Sequence, residues 1–520
     1  YAVASAANGK YNYVIDYTKT HTMHNERIGV SGTDAIVYEA SIRDLTRDPA
    51  LNAQNPSTYS AFSTSGLKTP GGHPAGFDYL RSLGVSHIQI LPFYDFEGVD
   101  ETKPFKHYNW GYNPSQYNVP EGSYSTDPDD PYRRIDELKE TIDKLHKAGL
   151  GVVMDVVYNH VYKVETFPFA NMVPGYFYRV DKHGYLSDAS GCGNDLATER
   201  RMVRKFIVDS VMHWAKEFAI DGFRFDIMGI IDLETMHFVR QKLERLDENI
   251  MVYGEGWKIP SPLPFEKLAH MHNDNALYNI GFFNDLAREN IKGSTFNLKD
   301  KGYALGHKGR GETLKAIMRG STFVHGGIKY PAQSINYVEC HDDHTFYDKA
   351  KAALPKTPKK DRLKMQKLAT SMVLLAQGVP FIHAGQEFYR SKKGVKNSYK
   401  SPDSVNMIHW RDVDEHAQDI DDFRRLVKLR KNHKLFRLQN AGYIRTHTRI
   451  HINQTGTMLY ELFDEQEHLL CVFKNCKQKE ALPLEADYEL LYHSLEEPPL
   501  QERTLHLRDI GTTVLRKQKG

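Results

Sequence analysis

The chain is 520 residues long, with 68 Lys and Arg against 66 Asp and Glu for a formal net charge of +2. That length exceeds one ordinary core, so one large domain with at least one smaller companion is expected. So even a balance supplies no field to draw in nucleic acid or an anionic lipid surface, and neither is expected as a partner. No run approaches the roughly 18 apolar residues of a membrane span. The start, YAVASAANGKYN, lacks the charged beginning and apolar stretch of an export signal, so the expected location is the cytoplasm. Opening on Tyr1 rather than Met leads us to expect sequence upstream. Cys192, Cys340, Cys471 and Cys476 form no CxxC pair and read as free thiols in a reducing compartment.

Residues 1–33 form a polar stretch that looks like the end of something preceding it. From about residue 34 one rhythm repeats: a short apolar run, a loop of variable length, then a helical pattern. The runs are AIVYEASI (35–42), SHIQILPFYD (86–95), LGVVMDVVYNH (150–160), GFRFDI (222–227), NIMVYGEGW (249–257), IGFFND (280–285), INYVECHD (335–342) and VPFIHAGQEF (379–388). Helical patterns precede several of them, including ERRMVRKFIVDSVMHWAKEF, where Val203, Phe206, Ile207, Val211 and Trp214 share a face. Strands alternating with helices predict parallel β/α units, and eight runs suffice to close a (β/α)8 TIM barrel over 34–436. An open doubly wound sheet is less favoured, because no GxGxxG follows the first run. After a last helix near 412–432, short alternating stretches (TMLYELF, HLLCVF, YELLYH, TTVLRK) predict a small antiparallel β-sandwich over 437–520.

Within the fourth run, DGFRFDIMG places Arg224 and Asp226 two residues apart between Phe223 and Phe225. Residues two apart in a strand face the same side, so the charged pair points together and the Phe pair points to the helices. In a barrel the charged side is the inside, near the C-terminal mouth where such barrels build their sites. Arg224 favours the ionised form of Asp226, predicting a permanent anion with a depressed pKa, fit to be a covalent nucleophile. Other runs also end on acids: Asp155 in DVVYNH, Glu255 in GEGW, and Asp342 beside His341 in ECHD. Crowded carboxyl groups push one another's pKa values apart. Glu255, followed by Gly256 and the apolar Trp257, is the candidate proton donor. One carboxylate to attack and one carboxylic acid to protonate a leaving oxygen is the pair that sugar-acetal hydrolysis requires.

Metal chemistry is the rival. Of the 25 His, several lie near predicted strand ends, but no HExxH or comparable ligand spacing occurs, so no catalytic metal is expected. No cofactor is called for; a structural calcium ion is compatible with the sequence. HMH at 270–272 reads as surface. His160 and His341 suit either satisfied histidines at the mouth of the barrel or donors to sugar hydroxyls.

The ordered set DVVYNH, GFRFDIMG, YGEGW and YVECHDD resembles the α-amylase superfamily, and HYNWGYNP (107–114) resembles the motif of type I pullulanases within it. The resemblance covers about residues 34–435. It implies a retaining mechanism, with Asp226 as nucleophile, Glu255 as general acid/base and Asp342 as the third carboxylate, which holds sugar hydroxyls. It further implies that Tyr112 stacks under the reacting glucose and that Arg224, His160 and His341 grip it. Asp155 would support the nucleophile, Trp257 is a further substrate-binding candidate, and Asp403, in the pullulanase-like stretch NSYKSPDSVN, is a candidate for a neighbouring sugar subsite. The implied substrates are pullulan and branched α-glucans cut at α-1,6 links; the alternatives are an α-1,4-acting or transferring relative and a glucan-binding protein without catalysis. Residues 1–33 resemble the end of the β-sandwich carbohydrate-binding module that precedes such barrels. Three positions depart from the family's usual pattern: Asn113 where Asp is common, Asp343 where Asn is common, and TFYD (345–348) in place of TLWD.

Overall fold

Each of the eight apolar runs contributes one parallel strand to a ring closed on itself. The structure is a computed structural model that describes residues 3–273, 277–324, 326–495 and 499–518. The strands are β1 (Val37–Ala40), β2 (His87–Ile90), β3 (Gly151–Val156), β4 (Gly222–Phe225), β5 (Met251–Gly254), β6 (Gly281–Asn284), β7 (Ser334–Asn336) and β8 (Val379–His383). Each pairs with its neighbour in sequence, and β8 returns to β1 with Tyr38 opposite Ile382.

Alternation sorts the side chains. Val37, Val153, Tyr253, Phe283, Ile335 and Phe381 pack together inside the ring, while Tyr38, Ile88, Met154, Phe223 and Phe225 join the larger core beneath the helices. The runs are longer than the strands they yield. SHIQILPFYD divides at Pro92, which has no N–H to continue a ladder. Its second half, Tyr94–Phe96, pairs instead with Pro114–Pro120 in a two-stranded ribbon on the rim.

The helices follow the predicted patterns. α1 (Pro131–Lys147) starts where the Asp130 side chain accepts from the Tyr132 and Arg133 amides and Pro131 fills the first position. α2 (Arg201–Glu217) buries Val203, Phe206, Ile207, Val211 and Trp214, and α3 is Leu233–Leu246. α4 (Lys359–Leu375) is buried all round from Leu368 onward. It lies between the barrel and the C-terminal strands, with Ser371 bonded to Thr512 and Lys364 paired with Asp509. α5 (Ala417–Asn432) closes the ring.

The C-terminal strands are β9 (Thr448–Ile452), β10 (Met458–Phe463), β11 (His468–Lys474), β12 (Glu480–Pro483), β13 (Tyr488–His493), β14 (Leu500–Gln501), β15 (Thr504–Leu507) and β16 (Gly511–Lys517). They form two antiparallel sheets, β9-β10-β11-β16-β13 and β12-β15-β14. Leu470, Val472, Leu505, Leu507 and Leu515 pack together between them. A short helix, Ala441–Thr446, precedes the first of these strands.

Among its described residues, the stretch before β1 holds only short 3-10 turns and one antiparallel bridge, Ser5 to Asn12, and lies against the barrel. The His24 and Asn25 amides donate to Asp143 on α1. At the N-terminal end of β4, Asp221 accepts from the amides of Ile28 (3.1 Å) and Val152 (2.7 Å), and His146 Nε2 lies 2.7 Å away. One buried carboxylate thus ties that stretch, α1, β3 and β4 together. HMH at 270–272 is only half surface: His272 is exposed but His270 is buried.

Candidate active site

The desolvation cost of Arg224 is met by three carboxylates. Its Nη1 lies 2.9 Å from both Asp155 Oδ1 and Asp226 Oδ1, and its Nη2 lies 2.9 Å from Glu255 Oε1. Asp155 comes from β3, Arg224 from β4 with Asp226 directly after it, and Glu255 follows β5, so one guanidinium binds the tips of three adjacent strands. Arg224 and Asp155 are fully buried, and a charge pair so placed persists only with its hydrogen bonds satisfied. Asp226 also accepts, on Oδ2, from Asn159 Nδ2 at 2.8 Å. Burial raises the pKa of Glu255 above its ordinary value; Arg224 opposes this, and the neighbouring Asp226 and Asp342 add to it.

Backbone geometry sets these side chains. Ile227, directly after Asp226, is held at φ 39°, ψ 46°, a left-handed conformation costly for a β-branched residue. That turn aims its amide at Glu255 Oε2, 3.0 Å away. The Gly229 amide donates to the Glu255 carbonyl at 2.9 Å, and a Cβ at 229 would overlap the Trp257 carbonyl. Only glycine lets the two loops approach so closely.

On the opposite rim, His341 Nδ1 lies 2.8 Å from Glu39 Oε1, and its Nε2 lies 3.2 Å from Asp342 Oδ2. Burial alone would depress the His341 pKa, but the Asp342 and Glu39 carboxylates outweigh it and raise it to about 10. The resulting imidazolium holds Asp342 well below the usual carboxylate range, against the effect of burial. Tyr112 stacks on the His341 ring with centroids 5.0 Å apart and an interplanar angle of 17°. Its hydroxyl donates to Asp155 at 2.7 Å.

Two lobes open from this centre. The larger, about 1220 Å³, is lined by Tyr112, Asn113, His160, Cys192, Asp226 and Tyr399 among others; the smaller, about 410 Å³, by Trp257, Arg288, Phe296, Cys340 and Asp343. Glu255, His341 and Asp342 line both, whereas Asp226 lines only the larger.

Of the residues singled out from sequence, Tyr112, Asp155, His160, Arg224, Asp226, Glu255, Trp257, His341 and Asp342 lie at this one mouth. His160 is turned to the protein, with its ring nitrogens against Asn159 Oδ1 and the Tyr112 carbonyl, and burial lowers its pKa. Asp403 is not brought to the centre: its carboxylate is held by Arg43 and Arg47, each at 2.7 Å. Sequence reasoning passed over Glu39, Gln89 and Asn159. Gln89 accepts from Tyr253 at 2.7 Å and lies 3.2 Å from Glu39. Glu39 and Gln89 are polar residues inside apolar runs and Asn159 is next to last in the third run, a fainter signal than the strand-end acids give. Asp343, the departure from the usual Asn, sits at φ 61°, a conformation Asn and Asp both tolerate. Its carboxylate faces Lys396 at 3.4 Å, and its amide donates to Asn397 at 3.0 Å.

Comparison with known proteins agrees with this architecture. The family described as "Alpha amylase, catalytic domain" matches residues 72–173 and 175–478. The pullulanase of Bacillus subtilis (strain 168) is 42% identical over 498 residues, which are 93% of this chain and 69% of that protein. Pullulanase A of Streptococcus pneumoniae is 30% identical, covering 86% of this chain and 39% of its own length. Among solved structures, the pullulanase of Anoxybacillus sp. LM18-11 complexed with maltotetraose superposes with a TM-score of 0.96 at 43% identity, over 100% of this chain and 76% of that one. The Paenibacillus barengoltzii pullulanase complexed with maltohexaose and α-cyclodextrin gives 0.96 at 40%, over 100% and 83%. An eight-stranded barrel with acids clustered at its C-terminal mouth, and relatives of this similarity, show that the chain belongs to the α-amylase family of glycoside hydrolases, in its debranching, pullulanase group.

Proposed function

We propose that this enzyme hydrolyses α-1,6-glucosidic links in pullulan and branched α-glucans with retention of configuration. The observation that carries the chemistry is Arg224 bonded at once to Asp226 and Glu255. Two carboxyl groups held on the two terminal nitrogens of one guanidinium face the same cleft, the pairing a retaining enzyme uses with its carboxyl groups roughly 5 Å apart. Asp226, lining only the larger lobe, attacks the anomeric carbon of a glucose seated there. Glu255, which faces both lobes, protonates the departing oxygen, whose chain leaves through the smaller lobe. An ester to Asp226 results. Glu255, now ionised, takes a proton from water, the water oxygen attacks the same carbon, and Asp226 departs as a carboxylate.

Around that exchange, Tyr112 offers an aromatic face to the ring of the bound glucose. Asp342, kept anionic by His341, holds sugar hydroxyls and favours the positive charge that develops at the anomeric carbon. Asp155 and Asn159 fix Arg224 and Asp226 from behind.

Incubation with pullulan and with unbranched amylose separates the alternatives. Maltotriose from pullulan with amylose untouched is the expected result. Panose, or shortened amylose, would identify an α-1,4-acting relative instead, and binding without products would identify a glucan-binding protein. Proton NMR of the first product should show the α-anomer; a β-anomer would overturn retention.

A further inference from the structure

Cys340, at the end of the β7 run, has no part in the exchange above, yet it lines the smaller lobe beside two residues that do. Ligand atoms of Cys340, His341 and Asp342 lie within 4.8 Å of one another. The Cys340 thiol reaches the Asp342 carbonyl at 3.9 Å. A thiol, an imidazole and a carboxylate facing one open space are the donor set favoured by a thiophilic divalent cation, with one position left for water.

We propose that Cys340, His341 and Asp342 form a binding site for a thiophilic divalent cation of the zinc type, and that its occupation closes the cleft to glucan. Three observations support it. Carboxylates of Glu39 and Asp342 flank the imidazole, and the same anionic surroundings favour a metal on Nε2. Glu39 bonds Nδ1 at 2.8 Å and so fixes the ring with Nε2 directed at Asp342, the carboxylate–histidine support that orients metal-bound imidazoles. Finally, the three donors line the smaller lobe, which gives an ion a way in. The contrast is the buried group Asp95, Glu101 and Glu121, whose ligand atoms also cluster. There Arg134 already supplies the counter-charge, 3.1 Å from Glu101.

On binding, the thiol proton and the Nε2 proton pass to solvent, and the metal takes their place with no change of oxidation state. Because His341 and Asp342 are withdrawn from the sugar, the inhibitory half of the proposal rests on the function proposed above, whereas binding does not.

Cadmium is the probe, because its thiolate bond gives an ultraviolet charge-transfer band that reports binding without any assay of activity. Titration of the whole chain should produce that band, zinc should displace it, and pullulan hydrolysis should fall with the same midpoint and recover with EDTA. Cys340→Ser should abolish the band and weaken inhibition at least about ten-fold, measured against that variant's own metal-free rate. Cys192→Ser, which removes the exposed thiol of the larger lobe, should leave both intact. Circular dichroism verifies that each variant is folded. A band that survives Cys340→Ser or vanishes with Cys192→Ser would overturn the site, and a band without inhibition would overturn its closure of the cleft. Should the metal-free enzyme fail to cleave pullulan, the proposed function falls, and the cadmium band still decides the site.

Discussion

Arg224 offers one cation to three carboxyl groups, and burial raises the pKa of two of them, Asp155 to about 7 and Glu255 above its ordinary value. Glu255 is the candidate for activity, since it lines both lobes of the cleft. A proton donor is lost as pH rises through its pKa, so the alkaline limb of kcat/KM is expected to report Glu255 and to lie above the ordinary carboxyl range. Glu255→Gln should remove that limb and lower kcat by about 100- to 10,000-fold; an unchanged profile would exclude the assignment. Asp343 refines the same prediction. A second carboxylate beside the cluster would by itself raise its neighbours, but Lys396 stands opposite it. Asp343→Asn should then move the alkaline limb only slightly downward, and Lys396→Ala should move it upward. Equal and opposite shifts of full size would show that the pair does not compensate. Gly229→Ala tests the backbone: with the Trp257 carbonyl in the way, the loop must shift, destabilising the fold by about 1–3 kcal/mol and loosening Glu255, seen as a lower melting temperature together with a lower kcat.

Among the elements, the barrel strands were legible because each is an apolar run ended by a polar residue. The runs overstated strand length, since buried residues such as Tyr337 and Val338 keep the apolar pattern past the end of the ladder at Asn336, and Pro92 broke one run in two. Asp155, Arg224, Asp226 and Glu255 could be singled out because a charge in an apolar run is conspicuous. Asn159 and Gln89 could not, because an uncharged amide there also suits a loop or a core. The strands β9, β12, β14 and β15 went unnoticed because two to five residues are too few to set an alternating pattern apart from a loop. They nevertheless hold a strong contact: Glu480 on β12 accepts from Lys474, Thr455, Thr457 and Asn453. Burial opposes its ionisation, but these partners prevail and bring its pKa to about 2 from an ordinary 4.5. A depressed carboxyl pKa contributes stability above the unfolded value that disappears as pH falls through the folded one. The stability gap between the native chain and Glu480→Gln, followed by urea unfolding, should therefore be full at neutral pH and close between about 4.5 and about 2. A gap independent of pH would show that the carboxylate is not what matters.

Across the whole molecule, the five-stranded sheet of the C-terminal unit and the barrel share α4, a helix with no solvent face over its second half. Cutting the chain before β9 would bare that surface, and the shortened protein is expected to aggregate while retaining the residues of its cleft. Normal solubility and turnover of such a truncation would show that the contact is dispensable.

The strand β4 bears on how such an enzyme tolerates change. Asp221 at its entrance stitches four segments of chain, while Asp226 just past its exit lines the cleft. Errors at the first position should be seen as lost yield of folded protein, and errors at the second as normal yield with lost turnover. Tolerance to mutation thus changes its character within a span of six letters, and a library randomised there, sorted once for expression and once for activity, would trace that divide.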